Sequence, residues 1–276
     1  MVSKQEIITI NGIPTHIYQL GDPLLSSKSI VIIPGNPGLG GFYIPFAHEL
    51  YNLFNKNISI LIISQAGHSP PLKYCFTLNE QIEHKIKAIE KLLPTDKNHR
   101  LILIGHSIGA FMVLNMLETI QHRLDRAFFL FPTIERMKES DAGKSFVLPL
   151  NWLKRKLISY YFSNSPSSDR SILTDTVLYD LLNPLTLKNL LRMANEEMFV
   201  VKKRDDQIIQ RFIDKITFYY GTNDHWSDYS QNIQPSNEDN SVLNDTNDKN
   251  SIPVSASKIK WKDAVRTVKQ LNQVRF

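Results

Sequence analysis

Five short apolar runs recur along the chain: Ser29 to Pro34, Ile58 to Ser64, Leu101 to Ile104, Ala127 to Pro132 and Ile216 to Tyr220. Each is too short for a buried helix, and each reads as a strand covered on both faces. The segments between them change period. Phe42 to Asn55 carries Phe46, Leu50, Leu53 and Phe54 on one side, and Leu78 to Leu93 places Ile82, Ile86, Ile89 and Leu93 at helical spacing until Pro94 stops it. Ala110 to Thr119 is a third helical stretch. Ahead of these, residues 6 to 18 alternate apolar and polar positions around Asn11-Gly12, the pattern of a two-residue hairpin. Strands alternating with helices predict an α/β fold built on a mostly parallel, doubly wound sheet. After Pro132 the rhythm breaks, and residues 133 to about 204 read as an inserted helical cap, including the aromatic stretch 146–162. The sheet returns at Ile216. Residues 231–257 form an Asn-, Asp- and Ser-rich linker that cannot bury a core, and 258–276 a basic helical tail with Trp261, Val265 and Val268 on one face. The first 230 residues are thus expected to form the main domain.

Composition narrows the function classes. At 276 residues, with 42% hydrophobic and 21% charged positions, the chain has the make-up of a globular protein with a sizeable core. The single cysteine, Cys75, excludes a disulfide framework and fits a reducing compartment. No apolar run is long enough to span a bilayer, and the first residues lack a signal peptide's apolar stretch, so a cytosolic or membrane-face location is expected. Net charge is +5, with six basic residues and one acid between Lys258 and Arg275. That tail reads as a solvated face or as an attraction for anionic headgroups, as does Lys154-Arg155-Lys156 on the amphipathic cap stretch. Nucleic acid is not expected as a partner, because no recognised module accompanies the charge.

The candidate chemistry centres on Gly105-His106-Ser107-Ile108-Gly109. Here a buried strand runs into Gly-x-Ser-x-Gly and then into a helix, the context that makes the pattern a nucleophile elbow. Ser107 is the candidate nucleophile, lifted clear of the sheet at a helix N-terminus whose dipole favours an oxyanion. Gly105 and Gly109 are required because a Cβ at either would collide with the facing strand or helix. The strand ending at Pro34 leads into Gly35-Asn36-Pro37-Gly38. This loop lacks the P-loop and dinucleotide fingerprints, so no nucleotide cofactor is expected. On an α/β-hydrolase fold it supplies the second oxyanion donor, and since Pro37 has no N–H, the candidates are the backbone N–H groups of Asn36 and Ile108. His68 ends the third strand but precedes Ser107, against the Ser, acid, His order of this fold, and reads as a loop-ordering or pocket-wall residue. Asp224, just past the late strand, is the candidate triad acid, and His225 beside it is a poorly placed candidate base. No metal is expected, since no ligand spacing appears.

Taken together, Ile33-Pro-Gly-Asn-Pro-Gly38 with Phe42-Tyr43, Ala66-Gly-His-Ser69, Gly105-His-Ser-Ile-Gly-Ala110, Leu130-Phe-Pro-Thr-Ile-Glu-Arg136, Val201-Lys-Lys-Arg-Asp-Asp206 and Phe218-Tyr-Tyr-Gly-Thr-Asn-Asp-His-Trp226 resemble the lipid droplet-associated serine hydrolases of the α/β-hydrolase superfamily. The resemblance covers roughly residues 30 to 226. It implies an α/β-hydrolase fold with an inserted cap, Ser107 as nucleophile and Asp224 as triad acid. It also implies peripheral association with lipid droplets and the cytosolic face of the endoplasmic reticulum, and substrates among sterol esters or other neutral lipid esters. One departure stands out. The family carries its triad histidine well after the acid in a His-Ala-Phe-like segment, whereas no histidine follows His225 in these residues. The base is therefore open, and a hydrolase-fold protein that binds the droplet surface with little catalysis is the alternative reading.

Overall fold

A computed structural model describes residues 4–140 and 170–220. Their apolar runs assemble into one seven-stranded sheet: β1 (Lys4–Ile10), β2 (Ile13–Leu20), β3 (Lys28–Ile33), β4 (Ser59–Ile63), β5 (Arg100–His106), β6 (Leu124–Leu130) and β7 (Ile216–Tyr219). Strand order is β1-β2-β4-β3-β5-β6-β7. From β4 to β7 all neighbours are parallel, whereas β2 runs antiparallel to both β1 and β4. The β1–β2 hairpin closes at Asn11-Gly12, whose φ angles of 46° and 79° are the left-handed pair such a tight turn needs.

Side chains alternate across the strands, so each central strand feeds two cores. Val31, Ile33, Leu61, Ile63, Leu101 and Leu103 pack on one face with helices α2 (Leu78–Leu92) and α3 (Ile108–Ile120). Ile30, Ile32, Ile60, Ile62, Ile102 and Ile104 pack on the other with α1 (Ile44–Leu53). Each such side chain is within 1% of full burial, which stabilises the fold by about 1.5–3 kcal/mol relative to exposure.

Helix α2 starts at a capping box: Thr77 accepts from the Glu80 N–H while Glu80 accepts from the Thr77 N–H. Thr77→Ala removes the cap and is expected to lower stability by about 1 kcal/mol in urea unfolding. An unchanged midpoint would show that the box contributes nothing.

Beyond β6 come α4 (Arg170–Asp175), a π-helical turn at Thr176–Leu181, α5 (Pro184–Val200) and α6 (Asp206–Arg211). Helix α5 begins with Pro184 at its first turn, behind an Asn183 cap that accepts from the Leu185 N–H. The helix lies over the loops that leave β3 and β4, bonding to Asn36 from one and to Gly67 and His68 from the other. The chain winds from β3 to β4 on one side and then crosses to β5 on the other. A crevice therefore opens at the carboxyl ends of β3 and β5, the place where open α/β sheets hold their sites. Among the described residues no helix is long and apolar enough to cross a membrane.

Candidate active site

Ser107 stands at the end of β5 with φ 53° and ψ −122°, a conformation costing about 1–3 kcal/mol for a residue with a Cβ. Its neighbours hold it there. The Ser107 N–H extends the β5–β6 ladder to the Leu130 carbonyl at 2.9 Å, and its own carbonyl accepts from Ala110 at 2.9 Å. A Cβ on Gly105 would lie 2.6 Å from Ala110 Cα, and one on Gly109 would lie 2.8 Å from the Pro34 carbonyl oxygen and closer still to that of Ile33. Glycines at both positions let β5, α3 and β3 approach at backbone distance. Half-buried Ser107 has no hydrogen-bond partner for its Oγ among the described residues, and the Ile108 N–H behind it is likewise unpaired there.

The loop after β3 passes directly against this serine: a Cβ on Gly35 would sit 2.9 Å from Ser107 Cβ. Buried groups fasten the loop. Gln65 Nε2 donates to the Pro34 carbonyl at 2.8 Å, and the Gln65 N–H donates to the Gly38 carbonyl at 2.8 Å. Gly35 N–H donates to the Tyr43 hydroxyl at 2.9 Å. That hydroxyl also pairs with His106 Nδ1 at 2.7 Å. Burial lowers the pKa of His106 to about 4, so its ring is neutral. His68 Nδ1 donates to the Pro37 carbonyl at 2.7 Å, and burial likewise lowers its pKa to about 4. His68 thus orders the loop rather than bonding to Ser107.

Tyr43→Phe would take the acceptor from the buried Gly35 N–H, and is expected to cost about 1–3 kcal/mol in urea unfolding. A loss below a few tenths would mean the hydroxyl is dispensable.

Helix α5 covers the crevice with polar side chains on its inner face. Thr186 Oγ1 donates to the His68 carbonyl at 2.8 Å, and Asn189 Nδ2 donates to the Gly67 and Leu72 carbonyls. Cys75 Sγ donates to Asn189 Oδ1, which makes the lone thiol a packing group. At the π-helical turn, Ser69 Oγ donates to Asp180 and lies 3.0 Å from His16 Nδ1. Glu197, 2% exposed, accepts from Asn36 Nδ2 at 3.2 Å. Burial first, and the charge of Glu196 after it, pushes its pKa up to about 8 against the bond from Asn36.

Because the folded-state pKa of Glu197 exceeds the unfolded one, the folded protein holds a proton there that the unfolded chain gives up. Its contribution to stability is complete below about pH 4.5 and is lost as pH rises toward 8, at about 1.4 kcal/mol per pH unit. Denaturant midpoints of Glu197→Gln compared with wild type across that window should diverge with this sign. Parallel curves would place the carboxyl's pKa near its ordinary value.

The structure therefore brings Asn36, Ile108 and Ser107 to one crevice. Asp224 and His225 lie outside the described residues, as do the cap stretch 146–162 with Lys154-Arg155-Lys156, the linker 231–257 and the tail 258–276. The sequence alone gives no role to the Tyr43 hydroxyl, which is named only within the family resemblance, and none to Glu197. A signal for Glu197 existed, since Leu190, Met193, Ala194 and Glu197 share a helical face.

A family model for lipid-droplet associated hydrolases matches residues 26–248. The chain belongs to the lipid droplet-associated hydrolase family. It is 35% identical over 273 residues to the human lipid droplet-associated hydrolase, with 83% of each chain covered. To that of Drosophila melanogaster it is 35% identical over 261 residues, covering 81% of this chain and 83% of the relative. The Dictyostelium discoideum member is 26% identical over 223 residues, with 73% of each covered. Among solved structures, the meta-cleavage product hydrolase CumD superposes with a TM-score of 0.57 at 13% identity, covering 83% of both chains. A 2-hydroxy-6-oxo-6-phenylhexa-2,4-dienoate hydrolase from a Rhodococcus species does so with 0.57 at 12% identity, covering 83% of this chain and 84% of that one. These neighbours establish the α/β-hydrolase fold for this family member.

Proposed function

We propose that this chain is a serine hydrolase of lipid esters, sterol esters or other neutral lipid esters, acting peripherally at lipid droplets and the cytosolic face of the endoplasmic reticulum. The observation that carries the reading is Ser107, held at a strained elbow with its Oγ unbonded among the described residues and the Ile108 and Asn36 N–H groups unpaired there too. Ser107 Oγ attacks the ester carbonyl and passes its proton to a histidine oriented by Asp224; His225 is the candidate for that base. The two N–H groups hold the oxyanion. The intermediate collapses to an acyl-serine, the alcohol leaves with the proton, and water repeats the sequence to free the acid. No cofactor or metal is required for these steps. The names of the family's members support the droplet setting and the hydrolytic class.

Turnover of a sterol ester emulsion and of a soluble short-chain ester, measured for wild type and Ser107→Ala, tests this. Serine-dependent hydrolysis of the emulsion is expected; equal rates in the two proteins would overturn it.

A second reading keeps the droplet surface and drops the catalysis. It is favoured by one observation: none of the described histidines bonds to Ser107 Oγ, and His68 and His106 are committed to Pro37 and Tyr43. Flotation of wild type and Ser107→Ala with droplets, beside hydrolysis at background in both, would support it. Serine-dependent turnover would exclude it.

A further inference from the structure

We propose that Glu197 is a positioning residue for the oxyanion-binding loop. From helix α5 it holds the Asn36 side chain, and with it the Asn36 backbone N–H, beside Ser107. The inference rests on the serine hydrolase reading above and adds the device that sets one of its two oxyanion donors.

The argument starts from how the loop is tied. Pro34, Gly35, Pro37 and Gly38 are each fixed through a backbone group, by Gln65, Tyr43, His68 and the Gly35–Gly38 turn. Asn36 alone makes no backbone hydrogen bond among the described residues, which leaves its N–H free for a ligand and its peptide plane unrestrained. Restraint comes from its side chain. Both Nδ2 hydrogens are used on α5, one on the Leu190 carbonyl at 3.0 Å and one on Glu197 Oε1 at 3.2 Å. A short amide fixed at two points on a packed helix fixes the rotation of its own backbone.

Glu197 is a costly choice for an acceptor. It is 2% exposed and has no cationic partner among the described residues. An ion there would be strongly penalised. Burial keeps the carboxyl protonated at neutral pH, with Glu196 as the charged group acting on it and Asn36, His68 and His106 facing it or its loop in neutral form. A neutral carboxyl accepts from Asn36 without setting a negative charge against the place where an oxyanion forms. The orphaned, buried Oδ1 of Asn36 marks the same spot as one where geometry outranks full hydrogen-bond satisfaction.

Hydrogen–deuterium exchange of the segment 33–39 and the rate of fluorophosphonate labelling at Ser107 test the clamp together, in the full chain. Glu197→Leu, which keeps an apolar volume but no acceptor, should speed exchange of that segment and slow labelling about tenfold. It should lower kcat for a soluble ester with KM little changed. Asn36→Ala, which breaks the same clamp at its other end, should reproduce both effects, and the double variant should be no worse than Asn36→Ala alone. Glu197→Gln keeps the acceptor oxygen and should restore wild-type exchange and labelling. Unchanged exchange in Glu197→Leu and Asn36→Ala overturns the clamp. Faster exchange with undiminished labelling overturns its role in positioning the donor. If wild type itself is not labelled, the serine hydrolase reading fails, and exchange alone then decides whether the clamp exists.

Discussion

Ser107→Ala is expected to lower ester turnover by roughly 10⁴-fold or more, with the unfolding midpoint within experimental scatter of wild type. The two halves of that statement have separate causes. Alanine keeps the Cβ, so the elbow at φ 53° carries the same strain, and Oγ has no described partner whose bond would be left open. The fold therefore loses nothing. Catalysis loses its nucleophile, and what survives is the residual rate from oxyanion donors and substrate binding, which in well-studied serine proteases stands about 10³–10⁴ above water. A stability loss above about 1 kcal/mol would mean that Ser107 holds structure. A variant as active as wild type would remove it from the reaction.

Gly109→Ala should produce the largest loss of stability among the site's single-residue changes, about 3 kcal/mol or more, seen as a fall of roughly 6–12 °C in a calorimetric scan. The added methyl would meet the Ile33 carbonyl oxygen and lie 2.8 Å from that of Pro34. Both are backbone atoms of the strand and loop that carry Asn36, so no flexible side chain can give way. Relief requires α3 to move off β3, which also parts the Ile108 N–H from the Asn36 N–H. Gly12→Ala is the internal control. At φ 79° it strains an L-residue, as Gly109 does not, but nothing lies within 4 Å of its new methyl. It should cost about 1–2 kcal/mol, the conformational term alone. Equal losses at the two positions would show that the close approach of α3 and β3 is softer than the geometry implies.

The elbow and the strands that support it were legible because their cause is local. Leu101 to Ile104 must be buried on both faces, and glycines on either side of a serine have few uses other than a sharp strand-to-helix turn. Asn11-Gly12 announced the hairpin for the same reason, since two successive left-handed residues are rarely anything else. The antiparallel seating of β2 beside β4 was not legible, because the pairing joins residues far apart in sequence, such as Ile17 with Ile63. Tyr43 enters the sequence reading only as part of the family resemblance, and only the fold brings its hydroxyl between Gly35 and His106. Glu197 lay within reach of a periodicity argument. Its helical face is shared with Leu190 and Met193, and an acid on that face is a buried acid. Because the strand–helix rhythm breaks after Pro132, that face stands outside the pattern that marks the sheet and its helices.

Those three positions share one physical reason. Sequence periodicity reports where apolar area must go, whereas a polar side chain's partner depends on which loops the topology brings to the same end of the sheet. Asn36 shows both sides. Its backbone role follows from a glycine-rich loop after a strand, while its side-chain anchor depends on α5, more than 150 positions later.

The measurement that tests the central claim most directly is mass-spectrometric mapping of the adduct formed when wild-type protein is treated with a fluorophosphonate. A single adduct on the peptide carrying Ser107, absent after heat denaturation, is the predicted result, since only an activated serine in a formed oxyanion site reacts at a useful rate. No adduct, or one on another residue, would contradict the account and leave the chain as a hydrolase-fold protein without serine catalysis.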